Sequence, residues 1–174
     1  VQAAGFAPFH KPAHKTYAGE AKTFEPWRIV KFNDVDCRSL AQELAQGSAE
    51  AGKIIDMLNA ADGMALVAWL PNPSGGNDLE DEDAFEASFD NMEIIAAAGA
   101  LCQSLLLAAQ ADGWRSYWSS GGLLRERPIF ERYGLPATAI LTGAIFFFPP
   151  ADKAGSSETR VGNMRAKRSS ADAW

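Results

Sequence analysis

The chain has 174 residues, of which 47% are hydrophobic and 22% charged, the composition of an ordinary globular domain able to bury a sizeable core. Its formal net charge is −6, with no basic bias, which argues against a nucleic-acid binder. No apolar run reaches the roughly 18 residues that a membrane span needs; "AILTGAIFFFPP" is short, holds Gly143 and ends in prolines.

The sequence starts at Val1, and "VQAAGFAP" reads as the last turns of a helix already under way, so upstream sequence is expected. A removed leader would suit a soluble protein of the cytoplasm or of an organelle. Up to Pro26 the chain is rich in Gly, Pro, His and Lys and lacks periodicity, which predicts loop. Pro26 to Phe32, "PWRIVKF", is short, aromatic and β-branched and predicts a strand that ends at the turn-prone "NDVD". Between Asp36 and Asn59 apolar residues recur at helical spacing (Leu40, Leu44, Ile54, Ile55, Leu58), with interruptions expected at Gly47 and Gly52. "MALVAWLP" predicts a buried strand ending at Pro71, and the acidic stretch Asn77 to Glu86 a solvated loop.

Met92 to Asp112 is the strongest element, about twenty residues of Ala, Leu and Ile with apolar residues on nearly every face. Such a helix is expected to be buried on all sides, in the domain centre or in a subunit interface, and to end at Gly113. "WRSYWSSGG" reads as an aromatic loop, "RPIFERYGLP" as a short helix closed by Gly134 and Pro136, and "TAILTGAIFFFP" as a second buried strand. The segment from Ala151 onward is polar and basic. With no internal repeat and no linker, residues 1–174 are expected to form a single α+β domain.

Chemical motifs are sparse. Nucleophile elbow, phosphate-binding loop, HExxH, EF-hand and GxGxxG are all absent. His10 and His14 have i, i+4 spacing, but Pro12 lies between them and no carboxylate or Cys partner follows, so neither a metal nor a heme is expected there. Cys37 and Cys102 show no ligand spacing, and Cys102, in an apolar helical run, is expected to be a buried small hydrophobe. What remains is an aromatic–Pro–Gly surface, "EPW" and "WSSGG", together with C-terminal basic residues. Together these suit a flat apolar slot with backbone donors and a phosphate grip. Each also has a plain reading: Trp27 and Trp118 as core or interface aromatics, Gly121–Gly122 as a turn, the basic segment as a solvated stretch.

In order along the chain, "AAGFAPFH", "EPWRIVKF", "AGALCQSLLLAAQADGWRSYW", "YGLP" with "AILTGAIFFFP", and "MRAKRSSADAW" resemble successive segments of the FMN-dependent nitroreductase family. That resemblance implies a central mixed or antiparallel sheet flanked by helices, and a homodimer formed through the long helix Met92 to Ala111 with FMN at its interface. It also implies hydride transfer from NAD(P)H through FMN to a nitroaromatic, quinone or similar acceptor. The flavin carries that chemistry, so no catalytic side chain is obligatory. Ser119, Ser120, Gly121 and Gly122 match the loop against the flavin ring. Pro26 and Trp27 match the segment beside the partner subunit's flavin, "APFH" matches a flavin-contacting loop, and Arg165, Lys167 and Arg168 match the position that pairs with the FMN phosphate. The chain departs from the pattern in lacking the opening "R.S.R" phosphate motif, in the insertion "KPAHKTYAGEAKT", in Glu25 where the family has a neutral amide, and in Ser104 where it has Asn. Those departures define an alternative: a flavin-free, degenerate relative acting as a structural or accessory subunit of a larger, organellar assembly.

Overall fold

The computed structural model describes residues 3–17, 23–47, 52–72 and 86–150. The N-terminal part is loop with two short 3-10 turns, Ala3–Phe6 and Lys15–Tyr17. β1 (Trp27–Asn33) starts directly after Pro26, a residue without an N–H, suited to the first position of a strand. The "NDVD" segment, expected as a turn, starts a helix instead. Asp36 N donates to Asn33 Oδ1 at 2.8 Å and Asn33 N donates to Asp36 Oδ2 at 3.1 Å, a reciprocal cap that satisfies two amides otherwise orphaned. α1 (Asp34–Gly47) and α2 (Gly52–Ala60) follow, bounded where Gly47 and Gly52 interrupt the apolar spacing.

β2 (Gly63–Trp69) and β4 (Ile140–Phe148) form the middle of a four-stranded antiparallel sheet of order β1-β2-β4-β3. Helices cover both faces of these two strands, which explains their unbroken apolar sequences. Alternate residues divide between the faces. Met64, Leu66, Ala144 and Phe146 pack with Leu40, Leu58 and Phe130 from the helices of one face. Ala65, Val67 and Ile145 pack on the other face with Ala97, Leu101 and Leu105 of α3 (Phe89–Ala111).

β3 (Arg115–Ser119) corrects one expectation: the segment read as an aromatic loop pairs with β4 over its whole length, from Arg115↔Phe148 to Ser119↔Ala144. It is an edge strand with a ladder on one side only, so its sequence lacks the apolar continuity of a central strand. α4 (Arg127–Arg132) is the expected short helix, and Gly134 beyond it takes φ +66°.

The long helix is capped at both ends. Ser88 Oγ accepts from Asn91 N, and Gly113 at φ +78° lets Trp114 N reach Ala109 O at 2.8 Å, closing the last turn. Its sheet-facing side is buried, but Met92 and Leu107 are 60% and 61% exposed. Burial on all sides is therefore not met within one chain. By length and composition α3 could cross a membrane, yet it lies along the sheet as a core helix does. Asn91, fully buried in its first turn, donates from Nδ2 to Asn72 O and Glu86 O and accepts from Asn72 N at Oδ1.

Both cysteines are buried free thiols, one on each face of the sheet, an arrangement that precludes a bond between them. Burial pushes Cys37 up to about 11 and Cys102 up to about 12, so neither is a nucleophile near neutrality. Of the acidic stretch Asn77–Glu86, only its last residue is among those described.

Candidate functional site

The strand register decides how the expected site residues relate. Trp27 pairs with Trp69, Trp69 with Ile140, and Ser119 with Ala144. Pro26–Trp27 and Ser119–Gly122 therefore leave the same end of the sheet, one from each edge strand. Three inter-strand spacings separate them, about 14 Å. Each segment is therefore a candidate half of a site, one at either edge of the sheet. Arg165, Lys167 and Arg168 lie outside the described residues.

The first half is built on β1. Pro26 and Trp27 are buried, and the Trp27 indole meets the ring of Phe9 edge to face, 5.3 Å between centroids at 82°. The loop "APFH" and the strand "EPW", far apart in sequence, are thus neighbours. Ala4 and Ala7 belong to the same apolar cluster as α3, and Lys11 Nζ pairs with Asp90 Oδ1 at 3.0 Å. Arg28, which nothing in the sequence marks out, fastens this half. Its Nη1 donates to Trp27 O and Glu25 O, and its Nη2 donates to Tyr17 O at 2.6 Å. Partial burial lowers its pKa from the usual guanidinium value, without threatening its charge. Tyr17 in turn shares a hydrogen bond with Thr138 and donates to Pro71 O; burial raises its phenol, so it stays protonated. Glu25 is exposed beside this segment. No helix joins His10 to His14, whose Nδ1 lies 3.0 Å from Thr16 Oγ1.

The second half follows β3. Ser119 is buried and its Oγ accepts from Gly121 N at 3.1 Å, while Arg125 Nε donates to Ser120 O. Gly121 takes φ +107° and Gly122 φ +54°, a path open to glycine but strained for other residues. Ser120 and Gly122 are exposed, and their amides donate no hydrogen bond among the described residues. Two backbone donors are therefore open to a ligand that bears acceptor atoms. Trp118, 37% exposed, lies against β4 with Nε1 3.4 Å from Thr142 O. It can do so because Gly143 has no side chain: a Cβ there would stand 2.0 Å from the indole nitrogen. A glycine inside an apolar strand is the sequence signal for such a close approach.

No family model and no curated protein matches the sequence. Solved structures do. A nitroreductase-like family protein from Bacillus cereus superposes with a TM-score of 0.61 at 22% identity, covering 95% of this chain and 78% of its own. The fold is nitroreductase-like. A putative nitroreductase from Desulfovibrio desulfuricans, solved in complex with FMN, gives a TM-score of 0.55 at 22% identity over 92% of this chain and 76% of its own. The NADPH:FMN oxidoreductase of Vibrio harveyi, complexed with NAD+, gives 0.55 at 15% identity over 94% of this chain and 62% of its own. At these identities the likeness speaks for the nitroreductase-like scaffold.

Proposed function

We propose that this chain is a flavin-dependent oxidoreductase that binds FMN between two copies of itself and passes hydride from NAD(P)H to a nitroaromatic, quinone or similar acceptor. The observation that supports the reading is that Pro26–Trp27 and Ser119–Gly122 leave one end of the sheet, with the exposed amides of Ser120 and Gly122 in the loop that resembles the family's flavin-binding loop. FMN supplies the hydride acceptance and donation when bound. This chain's part is to bind, orient and exclude water. The Ser120 and Gly122 amides donate to ring heteroatoms, Pro26 and Trp27 wall the partner's ring, and Arg165, Lys167 and Arg168 supply cations for the phosphate. Glu25 sets a carboxylate beside the ring edge, which disfavours additional negative charge on the reduced ring and lowers its reduction potential.

The test is direct: incubation of the purified full chain with FMN, followed by desalting. FMN is expected to remain bound and its visible absorbance to bleach on anaerobic addition of NADH or NADPH. A folded protein that leaves the column colourless would sink the flavin reading and favour the accessory-subunit alternative.

A complete site of this kind needs a second copy, and the outward face of α3 supplies a surface for it. Met92, Ile95 and Leu107 are exposed there, and Phe6, 86% exposed, stands on the neighbouring turn. Exposed apolar side chains along one helix face suit a subunit interface. Leu107→Glu is expected to convert a dimer to a monomer in sedimentation velocity and to lower FMN occupancy with it. A wild-type chain that sediments as a monomer, or only with other chains at fixed stoichiometry, would overturn the homodimer.

A further inference from the structure

At the opposite end of the sheet from both half-sites lies a cavity of about 250 Å³, lined by Asp62, Gly63, Phe147, Trp114 and the C-terminal turns of α3. It exists because the positions facing it are small. Gly63, at the start of β2, shares the α3-side register of Ala65 and Val67, and Ala108 and Ala109 line the cavity from the helix. Larger side chains at these places would fill it. Phe147 and Leu105 also line it, and Trp114, 36% exposed and tied down where its backbone N–H donates to Ala109 O, forms a side wall.

Among the described residues, the charged side chains that line this cavity are both acidic. Asp62 and Asp112 both line it, and Asp112 forms no ion pair among the described residues. Asp62 has Arg38 Nη2 at 3.9 Å, but that guanidinium is also committed through Nη1 to Asp34 O and Ala61 O. The C-terminal end of the 23-residue α3 opens here with no basic residue in its last turn, so the partial negative charge of a helix terminus adds to the carboxylates. Two carboxylates are too few for a bare divalent cation, which takes more oxygen ligands, and no set of three metal-ligating side chains occurs among the described residues. Aromatic and aliphatic walls would in any case be wasted on a hydrated ion.

We propose that this cavity binds an organic ammonium ion, a primary amine on an aryl or short alkyl body, with the apolar part against Trp114, Leu105 and Phe147 and the ammonium between Asp62 and Asp112. The inference is independent of flavin, since the cavity and the half-sites occupy opposite ends of the sheet.

Calorimetric titration of the full chain with benzylammonium chloride, and separately with benzyl alcohol as the neutral isostere, tests it. Benzylammonium is expected to bind saturably and at least about tenfold more tightly than the alcohol. In the Asp62→Asn/Asp112→Asn double variant that advantage should vanish, and adding FMN should leave it unchanged. If the double variant fails to fold, the wild-type chain still decides: benzylammonium binding should weaken with added salt while benzyl alcohol binding does not. Absence of saturable benzylammonium binding, equal affinity for both probes, or a folded double variant that keeps the wild-type preference would each overturn the proposal.

Discussion

Phe146→Ala is expected to destabilise the chain by about 3–5 kcal/mol, the range for removing a large aromatic from a closed core. Phe146 is fully buried in β4, between Met64 on β2 and Tyr117 on β3 in the register, and belongs to the cluster shared with α1, α2 and α4. Its neighbours come from both flanking strands and from helices on one face, so little local collapse can fill the space it leaves. A loss of that size removes a large part of the 5–15 kcal/mol by which domains are commonly stable. Urea unfolding should show a lower midpoint with an unchanged slope. Phe148→Ala, two residues on, removes a ring stacked on Phe146 at 6.4 Å but only partly buried at the strand's end, and should cost clearly less. Equal losses at the two positions would show that the core is not centred where the sheet places it.

The elements easiest to read in the sequence were those whose burial leaves an unbroken apolar record. β2 and β4 are covered on both faces, and α3 lies on the sheet with apolar residues outward as well, so each stood out without reference to partners. β3 did not. Its run of Arg, Ser, Tyr, Trp and Ser pairs with β4 alone, and a one-sided edge strand followed by two glycines carries the composition of a loop. The start of α1 was hidden for a related reason, since Asn and Asp serve equally as turn residues and as caps. For the site, the order of segments singled out Trp27 and the Ser119–Gly122 loop, and the structure sets them at one end of the sheet. Residues that hold neighbouring segments through backbone carbonyls left no trace in the sequence. Arg28 reaches Tyr17 O, and Asn91 reaches Asn72 O, contacts between positions that only the folded chain brings together. The cavity at Asp62 and Asp112 was equally invisible, because the two residues are far apart in sequence and ordinary singly.

Gly121→Ala is expected to weaken FMN binding tenfold or more while leaving the fold in place. Two costs act at this one position. At φ +107° any residue with a Cβ is strained, by about 1–3 kcal/mol, and that Cβ would stand 2.3 Å from Leu141 Cδ2 and 3.3 Å from Arg125 Cγ. The loop must move to relieve either, and the bonds from Gly121 N to Ser119 Oγ and from Arg125 to Ser120 O are those that fix it. The amides of Ser120 and Gly122 then point elsewhere, and each 1.4 kcal/mol lost in their interaction is a factor of ten in affinity. Gly134 gives the control. It also has a positive φ, +66°, but a Cβ there meets nothing within 4 Å, so Gly134→Ala should lower the melting temperature slightly and leave FMN affinity alone. Gly121→Ala combined with Leu141→Ala separates the two costs, since it removes the clash and keeps the strain. Affinity restored by the double variant would assign the effect to packing against Leu141, and affinity that stays low would assign it to the backbone path. FMN binding by Gly121→Ala indistinguishable from wild type would remove this loop from the proposed flavin site altogether.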